Sequence, residues 1–145
     1  MEEIHLGDQT IRFDREKTRA AYATIDYGSP EKCGCQFCRN FAVQRKLIYP
    51  QQFRELLDRL GVDAEKEGDV YEGTPSGPLV GYGGWFYLAG EIVEAGERLT
   101  MTAPPFEYFF RMSYRPIAVA DFGEEVLALE FSTKVPWILA EPPEW

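Results

Sequence analysis

The stretch QQFRELLDRLG, Gln51–Gly61, decides the fold class. Phe53, Leu56, Leu57 and Leu60 stand at i, i+3, i+4 and i+7, an apolar stripe on one face of a helix. Pro50 suits the first turn and Gly61 the C-terminal cap. Upstream, residues from about Gln36 to Leu47 carry the same period. Phe37 and Phe41 are one turn apart, as are Cys38 and Ala42. Pro50 separates the two helices, because proline cannot continue the first.

Beyond Gly61 the apolar period changes from helical spacing to two. DVYEG (69–73) reads as a short strand, and PLVGYGGWFYLAGEIVEAGERLTM (78–101) as a strand pair turning near Glu94, Ala95, Gly96 and Glu97. In FEYFFRMSY, Phe106, Tyr108, Phe110, Met112 and Tyr114 alternate with Glu107, Arg111 and the following Arg115. PIAVA and VLALEFST flank DFGEE, a hairpin connection. Before the helices, TIRFD (10–14) and AAYATIDYG (20–28) read as strands, the second ending at Gly28, Ser29 and Pro30. The order of strands, two helices and strands predicts an α+β fold, a helix pair packed on a mostly antiparallel sheet. Residues 1–145 form one domain of a size that builds its own core, with 1–9 and 137–145 expected as peripheral tails.

Glycine and aromatics mix in GYGGWFYLAGE (81–91). Tyr82, Trp85 and Tyr87 are candidates for lining a groove, but glycine in a strand more often marks close packing of another element. Arg111, Arg115 and Lys134 are candidates for a cationic spot, against the ordinary alternative of a solvated sheet face.

Hydrophobic residues make up 45% of the chain and aromatics 14%, so it can fill a core. The net charge is −9 and lies in the second part: residues 1–60 hold 10 basic and 9 acidic side chains, residues 61–145 hold 5 and 15. Acidity of that kind argues against nucleic acid as a partner. No apolar run reaches the roughly 20 residues of a membrane span. The N-terminus lacks the basic and apolar regions of a signal peptide, which predicts a cytoplasmic protein. The sequence leaves open whether the partner is a protein or a small molecule.

The three cysteines of the chain, Cys33, Cys35 and Cys38, lie within EKCGCQFCRNF. Metal binding is one reading. Two residues apart in an extended segment, Cys33 and Cys35 can point to the same side, Gly34 lets the chain fold between them, and Cys35 and Cys38 have C-x-x-C spacing at a helix start. Zinc is the candidate ion, with a fourth ligand to come from His5, a carboxylate, water or a second chain. Thiol redox chemistry through Cys35 and Cys38, with Cys35 as the reactive sulfur, is the alternative. The plainest reading is structural, three small residues packed beneath the helix. Motifs of common enzyme classes, such as G-x-S-x-G, H-E-x-x-H and the P-loop, are absent. A non-enzymatic binding or accessory protein, with a cysteine loop that is structural or zinc-binding, is therefore the first expectation.

Cys33-Gly-Cys-Gln-Phe-Cys-Arg-Asn-Phe41, the Leu-Gly end of the second helix, and Gly83-Gly-Trp85 with Gly90-Glu91 resemble a family of small uncharacterised bacterial proteins with a C-x-C-x-x-C-x-N-[aromatic] motif. The likeness spans roughly residues 20–135. It implies a shared fold and a shared thiol site, and no activity.

Overall fold

The computed structural model describes residues 1–97, 100–102, 105–113 and 120–145, with backbone alone for 100–102. Its elements run β1 (Glu2–Leu6), β2 (Gln9–Phe13), α1 (Arg15–Ala23), α2 (Ser29–Cys33), α3 (Gln36–Ile48), α4 (Gln51–Leu60), β3 (Asp69–Ser76), β4 (Leu79–Glu94), β5 (Thr100–Thr102), β6 (Phe106–Met112) and β7 (Val126–Pro136). The fold is α+β.

The sheet order is β1-β2-β4-β7-β6-β5, and β3 also pairs with β4. Every pairing described is antiparallel. The long strand β4 organises the molecule. One edge takes β7 from Leu79 to Ala89, while the other takes β3 against its first half and β2 against its second. Strand β4 and the segment after it are thus not a strand pair, correcting the reading of 78–101. The nonlocal strand β7 occupies the edge of β4, and β5 pairs with β6 instead.

The segment 20–28 is a second correction. Residues up to Ala23 belong to α1, not to a strand. Asp14 caps that helix by accepting the Lys17 backbone N–H at 3.0 Å. Thr18, Ala21 and Tyr22 form its buried face. Tyr22 donates to the Tyr87 carbonyl at 2.6 Å, and the Ala89 N–H donates to Thr18 Oγ1 at 3.0 Å. Tertiary bonding to β4 thus selects helix where β-forming residues suggested strand.

Helices α3 and α4 cover the face of β4 that carries Tyr82, Phe86 and Leu88. Phe53, Leu57 and Leu60 are buried, and Leu56 packs partly against the same core. Phe53 meets Phe86, Phe106, Tyr108 and Phe131 edge-on or tilted at 4.9–6.2 Å between ring centroids. Such aromatic pairs add to the area each ring buries. Phe106, Tyr108 and Phe110 are buried as their alternation requires, but Met112 is exposed. Tyr114, Arg115 and residues 116–119 lie outside the described residues.

At the N-terminus, Glu2–Leu6 forms the edge strand of a hairpin with β2, exposed except for Ile4 and the half-buried Leu6. Residues 137–145 have no helix or strand and lie on the start of α3. Among the described residues no helix is long and apolar enough to cross a membrane.

Candidate metal centre

Two helices meet head to tail at the cysteines. Helix α2 begins with Pro30 in its first turn and ends at Cys33. Gly34 then takes φ 68°, a left-handed cap that glycine adopts without strain, and its N–H donates to the Pro30 carbonyl at 3.0 Å. Cys35 is extended and is the N-cap of α3, and Cys38 lies in that helix's first turn. Cys33 therefore ends a helix and is not in an extended segment. The left-handed turn, not strand alternation, brings its sulfur toward the other two.

The three sulfurs lie within 4.8 Å of one another. The Cys38 backbone N–H donates to Cys35 Sγ at 3.4 Å. Cys38 is buried, whereas Cys33 and Cys35 are exposed free thiols. Packing beneath the helix accounts for Cys38 alone.

The electrostatics distinguish the thiols. The Cys35 backbone N–H, then the Cys35 and Cys38 side chains, hydrogen-bond to Cys33 sulfur and draw its pKa below the ordinary thiol value. Burial pushes Cys38 well up, and the neighbouring sulfurs add to the shift. The exposed thiol at the end of α2 is thus drawn down and the buried one in α3 pushed up.

His5 is not part of this cluster. It lies on β1, where Nδ1 is 2.8 Å from Thr10 Oγ1. Among the described residues no histidine or carboxylate joins the three sulfurs as a fourth close ligand atom. Donor type and spacing fit a thiophilic metal: three sulfurs on one preformed corner, with the exposed side open.

The other candidate residues separate. Tyr82 points to the helices, where its hydroxyl donates to the Phe37 carbonyl at 2.7 Å. Trp85 and Tyr87 stand on the opposite face, so the three do not line one groove. Trp85 is half-buried, its ring 5.2 Å from the Arg111 guanidinium carbon. Arg111 is engaged by Glu130 at 2.8 Å. None of Gly81, Gly83, Gly84 and Gly90 has positive φ. Close approach explains Gly84 and Gly90: a Cβ there would lie 2.5 Å from the Asp69 and Arg12 carbonyls, respectively.

One buried constellation had no sequence signal. Glu67 accepts two 2.9 Å bonds from Arg45 and a 2.6 Å bond from Tyr49. Arg45 also reaches Glu31 at 2.6 Å. The Ser29 N–H donates to the Glu67 carbonyl at 3.1 Å, so the network ties the loop before β3 to α2 and α3 and braces the cysteine corner.

No protein-family model, no curated protein and no solved structure matches the chain.

Proposed function

We propose that this chain is a non-enzymatic accessory protein whose cysteine corner binds a metal ion, with zinc as the resident ion. The observation that carries this reading is the gathering of three sulfurs within 4.8 Å of one another. Zinc–sulfur bonds of about 2.3 Å place the sulfurs of a tetrahedral site roughly 3.8 Å apart, inside that limit. Three thiols held apart from a disulfide, two of them exposed, are better used as ligands than as packing.

The ion would tie the end of α2 to the start of α3, and its binding free energy would become folding free energy for the corner. Water, or a donor from a small-molecule or protein partner, would fill the fourth position. Exposed reduced thiols suit a reducing compartment, the cytoplasm. The same corner would serve the bacterial proteins that carry the C-x-C-x-x-C-x-N-[aromatic] motif.

Metal analysis of protein purified without chelator or nickel resin tests the reading. It expects one zinc per chain, lost on Cys35→Ser or Cys38→Ser. Metal-free protein that also fails to bind added zinc would overturn it. The thiol-redox alternative, through Cys35 and Cys38, draws on the same geometry, free thiols within 4.8 Å of one another with two of them exposed. A disulfide between Cys35 and Cys38, found by mass spectrometry after mild oxidation and reversed by a dithiol, would support that alternative.

A further inference from the structure

We infer that the cysteine corner is a receptor for a three-coordinate thiophilic ion of the arsenic(III) class, which displaces zinc from it. This rests on the metal-binding reading and goes further in naming the ion that the donor set satisfies.

The first ground is coordination number. The corner offers three sulfurs, and no histidine or carboxylate among the described residues supplies a fourth close donor. Zinc sites prefer four donors, so zinc here depends on water or an outside group. Arsenic(III) is complete with three sulfurs in a pyramid, and its lone pair needs no donor.

The second ground is the direction of the open side. Cys38 is buried, and Cys33 and Cys35 are exposed. An ion entering from solvent meets two accessible thiols first and the buried one last.

The third ground is charge. Three thiolates leave copper(I) at −2, zinc at −1 and arsenic(III) at zero. The chain carries −9, and Arg39, the residue after Cys38, is already held by Glu141 at 2.6 Å. A neutral complex asks for no further counter-charge. Soft thiolate donors set the preference for thiophilic ions, and charge and coordination number choose among them.

The chemistry is substitution without redox. Three thiols and As(OH)₃ give As(SR)₃ and three waters: three S–H and three As–O bonds break, and three As–S and three O–H bonds form. From the zinc form, [Zn(SR)₃(OH₂)]⁻ and As(OH)₃ with three protons give As(SR)₃, Zn²⁺ and four waters.

The test titrates the reduced, full-length, zinc-loaded protein with arsenite, reading zinc release with a chromophoric chelator and free thiols with a disulfide reagent. One arsenite per chain should release the zinc and protect all three thiols. Cys33→Ser and Cys35→Ser should each weaken arsenite binding more than about tenfold. Near-ultraviolet circular dichroism should show both variants folded, since these side chains are exposed. Retention of zinc against excess arsenite would overturn this inference and leave the metal reading standing. Protection of only two thiols, or equal arsenite affinity in Cys33→Ser, would overturn the three-sulfur receptor. Binding of neither zinc nor arsenite would overturn both.

Discussion

Cys35 caps the helix that carries Cys38: its sulfur accepts the Cys38 backbone N–H at 3.4 Å. One atom thus has two roles, helix cap and ligand, and substitution separates them. Serine retains a capping oxygen and loses the soft donor; alanine loses both. We expect metal-free Cys35→Ser to match the parent within about 0.5 kcal/mol. Cys35→Ala should lose about 1 kcal/mol for the missing cap. Added zinc should stabilise the parent and neither variant. Urea denaturation with and without zinc measures all of this. Equal stability of the two metal-free variants would remove the capping role.

The Arg45–Glu67–Tyr49 network predicts a pH dependence with a definite sign. Burial pushes the Glu67 carboxyl above its ordinary value, against the pull of Arg45 and Tyr49. The folded state therefore binds this proton more readily than the unfolded state. From the ordinary glutamate value near ~4.3 upward to the raised value, this group's contribution to stability falls as pH rises, and then levels off. Glu67→Gln should abolish that slope. It should also destabilise the protein, because Arg45 keeps only 11% side-chain exposure and loses its buried partner. Breaking a buried pair costs about 3–5 kcal/mol, and the remaining Glu31 contact places this case at the low end. A pH series of urea denaturations on parent and variant reads both effects. A Glu67→Gln protein as stable as the parent above the raised value would show that the network does not brace the fold.

Two glycines should resist alanine for opposite reasons. At Gly84 the backbone is ordinary but there is no room: a Cβ would lie 2.5 Å from the Asp69 carbonyl and 2.8 Å from the Phe131 ring. At Gly34 there is room but φ is 68°. Gly84→Ala should cost about 1–3 kcal/mol through overpacking. Gly34→Ala should cost about 1–2 kcal/mol through left-handed strain. Asparagine tolerates that conformation and should recover much of the loss at position 34 but none at position 84. Thermal denaturation of the four variants decides the matter. An asparagine no better than alanine at Gly34 would mean that the turn is not the cause.

What could be read from sequence follows the range of the interactions. Phe53, Leu57 and Leu60 announce their buried face because helical period is local, and Phe106, Tyr108 and Phe110 do the same for a strand. The cysteine convergence was legible because six residues contain it, and Gly34 marks its turn. The partner of β4 was not legible: Phe86 pairs with Leu129, and nothing near either residue specifies the other. Helix α1 was hidden for a related reason, since Thr18 and Tyr22 are fixed by bonds to Ala89 and Tyr87, far along the chain. Arg45 and Glu67, 22 residues apart, carry no spacing signal at all.

The C-terminal segment should stabilise the thiol corner without touching the sulfurs. Trp137 and Trp145 stand 5.4 and 4.9 Å from the Phe37 ring, one residue before Cys38. The Ile138 N–H donates to Asn40 Oδ1 at 2.9 Å, and Arg39 pairs with Glu141. The segment thus holds the first turn of α3, which positions Cys38 and receives the Cys35 cap. Removing residues 137–145 would expose Phe37, now 8% exposed, and remove one of the two bonds that Asn40 Oδ1 accepts, leaving the one from Gln44 at 3.3 Å. Partial exposure of one phenylalanine predicts a loss of about 2 kcal/mol. Fraying of the same turn should also weaken zinc binding, because a ligand that must first be ordered binds with that cost subtracted. Trp137→Phe should retain most of the stability, since a ring still meets Phe37. Urea denaturation and competitive zinc titration on the shortened chain and the Trp137→Phe variant measure the two effects separately. A shortened chain with unchanged zinc affinity would show that the segment covers the helix without supporting the site.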